Sequence, residues 1–152
     1  MNLILWRHAE AEDTASTDLA RQLTPRGRKQ AQASAKWLRA RLPDDAVILA
    51  SPAARTVQTA ESLTDQYRVV REIAPDASVE AVLTAAGWPD GIAPTVVIVG
   101  HQPTLGHVIA RLLADSGASW SVKKSAVWWI ESRLRSNGEQ ATLRAAISPD
   151  LL

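Results

Sequence analysis

Cysteine is absent from the 152 residues, which excludes disulfide bridges, thiolate metal sites and the cysteine nucleophile of cysteine-dependent phosphatases and proteases. Phenylalanine is absent too, so six tryptophans and one tyrosine supply the aromatic bulk. Charge of one sign does not predominate. Lys and Arg number 17 against 16 Asp and Glu, a net charge of +1, so the overall field gives no ground for nucleic-acid or membrane binding and any anion site must be local. Long apolar runs are missing as well: Leu3-Ile4-Leu5-Trp6 is too short for a signal-peptide core and runs straight into Arg7-His8, while Val96–Val99 is only strand-sized. No targeting segment and no bilayer span are expected, and a cytoplasmic location is.

What is present suits a soluble globular chain, 46% hydrophobic and 22% charged. Residues 1–152 are expected to form one domain, burying roughly 70% of the surface an unfolded chain of this length exposes. Leu3–Trp6 reads as a buried strand followed by a polar loop from Ala9 to Gln22. Thr24 and Pro25 open a helix whose face carries Ala31, Ala35, Leu38 and Leu42, broken by Pro43-Asp44-Asp45. Ala46–Ala50 is a second buried strand. Ser51-Pro52 reads as an N-cap with proline just inside the next helix, which runs to about Tyr67. Val69–Ile73 is a third strand, and Ser78–Ala86 a short helix stopped by Gly87 and Pro89. Thr95–Val99 is the clearest buried strand; Gly100-His101-Gln102-Pro103 then leads into a helix with Leu105, Val108, Ile109, Leu112 and Leu113 on one face. Ser125–Ser132 and Ala141–Ile147 flank Asn137-Gly138, a hairpin signal. The alternation predicts an α/β fold: a three-layer α/β/α sandwich with a mostly parallel sheet and an antiparallel edge.

In such folds ligands gather at the carboxyl ends of the strands. Arg7-His8, Ser51 and Gly100-His101 all fall there. Of the three histidines, His8 and His101 directly follow buried strands, whereas His107 lies off the apolar stripe of its helix. A lone loop histidine usually does no chemistry, but Arg7, Arg55, two imidazoles and a helix N-terminus around one point suit a phosphoryl group. Guanidinium forks match its paired oxygens, and a neutral imidazole nitrogen can attack phosphorus. No glycine-rich phosphate loop, aspartate-rich metal site or GxSxG elbow occurs.

Four ordered blocks carry a resemblance: Leu5-Trp6-Arg7-His8-Ala9-Glu10-Ala11; Arg21-Gln22-Leu23-Thr24-Pro25-Arg26-Gly27; Ser51-Pro52-Ala53-Ala54-Arg55-Thr56-Val57-Gln58-Thr59-Ala60; and Val99-Gly100-His101-Gln102-Pro103. At these residues the chain resembles the histidine phosphatase superfamily, of phosphoglycerate mutase-like fold, and within it the small bacterial branch of SixA-type phosphohistidine phosphatases. The resemblance implies that His8 attacks phosphorus and becomes a transient phosphohistidine, that Arg7, Arg55 and His101 bind the phosphoryl oxygens, and that water releases inorganic phosphate. It implies no cofactor and no metal. The unreactive ring nitrogen of His8 is expected to hydrogen-bond a backbone carbonyl, which fixes its tautomer. The commonest first motif has glycine after the histidine; Ala9 stands there and would be strained at positive φ.

Many superfamily members carry a glutamate after the third strand that protonates an ester leaving group, and Glu72 is the positional candidate for this acid. A solvated strand-end carboxylate explains it equally, and Glu10, Glu12 and Asp13 are further candidates. Loss of this acid favours phosphohistidine, because imidazole leaves from a phosphoramidate more easily than an alkoxide leaves from an ester. Short length leaves little room for an inserted cap. The partner implied is therefore a phosphorylated histidine-containing protein, a phosphotransfer domain or carrier. The alternatives are a small phosphate ester as substrate and a catalytically silent phosphate-sensing or protein-binding module.

Three further residues are substrate-binding candidates. Arg21 fits either a third guanidinium or a surface tie within its own loop. Ser51 either donates to phosphate or caps its helix, and capping is the better reading. Trp88, in a loop beside Gly87, Pro89 and Gly91, either contacts substrate or anchors the loop. Trp128 and Trp129 point to opposite faces of their strand, and Lys123-Lys124 is too short a basic run to imply an anionic partner.

Overall fold

A computed structural model describes residues 1–136 and 138–152. Its centre is β1 (Asn2–Arg7), which pairs in parallel with β4 (Thr95–Gly100) and antiparallel with β5 (Val127–Arg135). With β2 (Val47–Ala50), β3 (Arg68–Val69) and β6 (Gly138–Ile147) these form one six-stranded sheet, in the order β3-β2-β4-β1-β5-β6. The four strands β1 to β4 run parallel and the β5–β6 hairpin forms the antiparallel side.

The continuous apolar runs of β1 and β4 exist because both sheet faces are covered. Leu3, Leu5, Val96 and Ile98 point to one face, where α3 (Val79–Ala86) supplies Val82 and α4 (Thr104–Ala114) supplies Leu105, Val108 and Ile109. Ile4, Trp6, Val97 and Val99 point to the other, against Ala35 and Leu38 of α1 (Pro25–Arg39) and Ala60 of α2 (Ala54–Glu61). Three layers result. The tryptophan pair follows the same rule, since Trp129 joins the α1–α2 core and Trp128 packs against the α3–α4 core.

Several boundaries differ from the sequence reading. Helix α1 starts as expected, with the Thr24 side chain accepting from Gly27 N, but ends at Arg39 and leaves Leu42 in the following turn. Helix α2 begins at Ala54 with Ala53 as N-cap, so Ser51-Pro52 is not the cap pair; the Ser51 hydroxyl faces His101 instead. It stops at Glu61, well short of Tyr67. Ser62 Oγ donates back to Gln58 O, Thr64 Oγ1 accepts from Gln66 N, and Arg39 takes up the Ser62 carbonyl, so local side-chain bonds outcompete another helical turn. The third strand keeps only Arg68–Val69; a 3-10 turn at Arg71–Ile73 follows, because Ile73 turns into the core. The hairpin strands are longer than expected, and its turn residue Asn137 lies outside the described residues.

Candidate active site

The carboxyl ends of three parallel strands carry the site. Arg7 ends β1 and His8 follows it, Ser51 follows β2, and His101 follows β4; His8 N donates to Gly100 O at 3.1 Å and Ser51 N to Val99 O at 3.1 Å. The β-ladder thus continues one residue beyond each strand and locks the loops in register. Arg7, His8, Arg21, Arg55, His101, Ala11, Asp13, Asp18, Pro75, Asp76, Gln102 and Lys124 together line a cavity of about 360 Å³.

The imidazoles of His8 and His101 stand 5.3 Å apart between ring centroids and tilt by 54°. Both are buried, with exposures of 7% and 4%. Nδ1 of His8 donates to Ala9 O at 2.7 Å, as the tautomer argument requires, leaving Nε2 with the lone pair. Burial, reinforced by the charges of Arg7, Arg55 and Arg21, pushes the His8 pKa down to about 4 against the opposing pull of the Ala9 carbonyl. His101 is pushed down to about 3, by burial first and then by His8 and the arginines. Both rings are neutral at pH 7. Nε2 of His101 pairs with Ser51 Oγ at 2.7 Å.

The guanidiniums are held from behind. Arg7 Nη1 donates to Val122 O at 2.8 Å. Arg55, in the first turn of α2 and 5% exposed, donates through Nη1 to Asp18 O at 2.9 Å and through Nη2 to Asp18 Oδ2 at 3.1 Å. Arg21 reaches the same carboxylate at 2.9 Å and ties its own loop through Glu12 O at 2.6 Å, so both readings of this residue describe its place. The pair of arginines, Arg21 first, holds the Asp18 carboxyl below the usual carboxylate range. Nε of Arg7, Nε of Arg55 and Nδ1 of His101 are buried without a hydrogen-bond partner among the described residues. These unpartnered guanidinium donors suit an oxyanion, in a cavity whose walls also carry Asp13, Asp18 and Asp76.

Two sequence candidates lie elsewhere. Glu72 sits exposed in the 3-10 turn after β3 and is not among the residues lining the cavity, which the chain meets at Pro75 and Asp76 just beyond it. Trp88 packs on the α3–α4 core, and its loop meets Met1 and Ser132 at the amino end of β1, so it is a loop anchor at the opposite end of the sheet. Of the other acids, Asp13 reaches the cavity, whereas the Glu10 carboxylate accepts from Thr24 Oγ1 at 2.7 Å beside the start of α1. His107 is half-buried, its Nδ1 3.1 Å from Ala118 O. Ala9 has no positive φ; it is fully buried with Leu23 and Ala31, so its methyl group is core.

Sequence reasoning missed Asp18 and Asp76 and set Lys124 aside as part of too short a basic run, yet all three line the cavity. The one signal for Asp18 was its position three residues before Arg21. It also missed why the third block contains Gln58 and Thr59: Gln58 Oε1 accepts from Leu23 N and Thr59 Oγ1 from Ala9 N, so α2 holds the loop that follows His8. Among the described residues no three of His, Asp and Glu gather as a metal-binding set, and no helix is long and apolar enough to cross a membrane.

A family model described as the histidine phosphatase superfamily (branch 1) matches residues 3–78. A Haemophilus influenzae protein described as a phosphohistidine phosphatase SixA homolog is 31% identical over 126 residues, covering 74% of this chain and 77% of that protein. The phosphohistidine phosphatase SixA of Escherichia coli is 28% identical over 120 residues, 74% of either chain. A solved structure of the protein histidine phosphatase SixA complexed with tungstate matches with a TM-score of 0.82 at 26% identity, over 99% of both chains.

Proposed function

The chain belongs to the histidine phosphatase superfamily, and from that premise we propose that it dephosphorylates phosphohistidine on a cytoplasmic signalling or phosphotransfer protein, with His8 as the nucleophile. One observation carries the reading: Nδ1 of His8 is committed to its own backbone while the ring borders a cavity lined by three guanidiniums.

In the first step Nε2 of His8 bonds to phosphorus as the bond to the substrate imidazole breaks; that imidazole leaves with the electron pair and takes up a proton. In the second, water adds to phosphorus, the Nε2–P bond breaks, and inorganic phosphate departs. Arg7, Arg55 and His101 bind the phosphoryl oxygens in both steps, with Arg21 and Ser51 supporting Arg55's partner Asp18 and His101 respectively. Each well-placed donor is worth roughly 10²–10³ in rate. We read this chemistry as independent of metal, since the guanidiniums themselves neutralise the transferring group.

A second reading, hydrolysis of small phosphate esters, is favoured by one feature. Asp13, Asp18 and Asp76 line the cavity, so the site has carboxyl groups within its walls although Glu72 is not among them, and a missing acid no longer singles out phosphohistidine. A panel decides between the two. The protein is mixed with a phosphorylated histidine-phosphotransfer domain, a phosphorylated sugar-transport carrier and a set of phosphate esters. The reading expects faster turnover of a phosphohistidine protein than of any ester, and acid-labile, base-stable labelling of His8 that His8→Ala abolishes. Faster turnover of a sugar phosphate sinks the substrate assignment, and absence of any label or hydrolysis leaves a silent binding module.

A further inference from the structure

Beside the cup runs a second and larger depression, about 670 Å³, and the two share a wall: Arg7 and Lys124 line both. Its sides are Arg26 and Lys29, from the opening turns of α1, and Lys123 and Lys124, from the segment before β5; all four are exposed. We propose that this basic groove docks an acidic surface of the phosphorylated protein, next to the residue whose phosphoryl group enters the cup. The proposal rests on the phosphohistidine reading and deepens it by giving the partner a chemical character.

Three observations support it. The first is local charge. In a chain of net charge +1 these cations are gathered around one groove, and among the described residues the only carboxylate lining it is Asp150, 3.7 Å from Lys123 with both side chains more than half exposed. Arg26, Lys29 and Lys124 have no carboxylate within 4.0 Å among the described residues. The second is placement. The first turn of α1 holds no acidic residue yet carries Arg26 at the positive end of the helix dipole, and Lys29 three residues on shares its face. Arg26 works against the helix dipole, its like-charged neighbour Lys29 adds to the strain, and among the described residues neither has a carboxylate within 4.0 Å. The third is size, since the cup alone accommodates a phosphoryl group and the groove adds nearly twice its volume on the approach to it. A carboxylate-bearing protein surface around a phosphohistidine answers all three, through steering and through contact.

The test uses two synthetic peptides that differ only in the residues flanking a phosphohistidine, Asp and Glu in one and Asn and Gln in the other, with free phosphohistidine as control. The wild-type chain is expected to hydrolyse the acidic peptide with a kcat/KM about tenfold higher, and raising salt from about 50 to about 300 mM should shrink the preference severalfold. The double variant Arg26→Glu/Lys29→Glu should lose the preference while free phosphohistidine turns over within about twofold of wild type. Reversing exposed charges on the far edge strand and on the opposite face of the sheet, in Arg68→Glu/Arg111→Glu, should leave the preference intact. Acidic residues suit the start of α1, so the groove variant is expected to fold; circular dichroism checks this. Binding of the unphosphorylated acidic peptide, read by fluorescence anisotropy, should weaken about tenfold in the groove variant alone. Equal turnover of the two peptides, a preference that survives the groove reversals, or one lost equally in the distant variant overturns the docking assignment. If free phosphohistidine is not hydrolysed, the functional reading fails and anisotropy alone decides the groove: a groove-specific loss upholds docking, and no loss overturns it.

Discussion

Asp18 clasps Arg55 with both its backbone carbonyl, at 2.9 Å from Nη1, and its carboxylate, at 3.1 Å from Nη2. The pairing aims a buried guanidinium, but it also sets a negative charge at the mouth of an anion site. Asp18→Asn keeps an acceptor for Arg55 and removes the charge. Inorganic phosphate is expected to inhibit the variant about threefold to tenfold more tightly, the scale of one charge at a partly solvated site. Inhibition that is unchanged or weaker would show that the carboxylate serves only to hold Arg55.

Replacing Arg55 with lysine preserves charge and loses the fork that Asp18 holds and that the proposed mechanism aims at the phosphoryl oxygens. A fall of roughly 10²–10³ in kcat/KM is expected, with an unchanged KM for none of the substrates tested, since ground-state binding uses the same fork. Steady-state kinetics with near wild-type turnover would exclude Arg55 from the reacting geometry.

The two imidazoles make stability depend on pH. An unfolded histidine titrates near 6.5, whereas His8 and His101 in the fold wait until about 4 and about 3. Between these limits the unfolded chain binds more protons, so stability falls as pH drops below 6.5, by up to about 1.4 kcal/mol per pH unit for each histidine, and levels off below about 3. Urea midpoints at pH 7 and pH 5 measure the slope, which the double variant His8→Ala/His101→Ala should largely remove. Added phosphate should reduce it too, because an anion favours the imidazolium. In turnover, kcat/KM is expected to hold from neutral pH down to about 5 and to fall below about 4 as protonation takes the lone pair of His8.

Gly27 carries a packing role in the second block. A Cβ there would collide with the carbonyl oxygen of Glu10, in the loop just after His8 and Ala9. Gly27→Ala must push that loop away from α1, at a cost of about 1–3 kcal/mol, and lower activity through the displaced His8 partner Ala9. Thermal melts and kinetics on the same variant test both effects; a fully stable and active Gly27→Ala protein would mean that the loop adjusts freely.

Much of the molecule was legible along the chain because its signals are local. Apolar runs of strand length, the Thr24-Pro25 helix start and the ordered blocks around Arg7-His8, Arg55 and Gly100-His101 require only near neighbours to be read. The parallel order of the strands then places the ends of β1, β2 and β4 on one edge, since successive crossovers return the chain in the same direction.

What needed the folded chain was everything set by residues distant in sequence. Ser51 faces His101 rather than capping a helix because β2 and β4 are neighbours, and after the 3-10 turn it is Pro75 and Asp76 rather than Glu72 that line the cavity. Asp18, unremarkable in a polar loop, becomes the clasp of Arg55 only when that loop folds over α2. Lys123-Lys124 looks like a short surface run until α1 lays Arg26 and Lys29 opposite it. Backbone preference and hydrophobic pattern act over a few residues and are written in order; charge meets charge across space, and that proximity exists only after the sheet has formed.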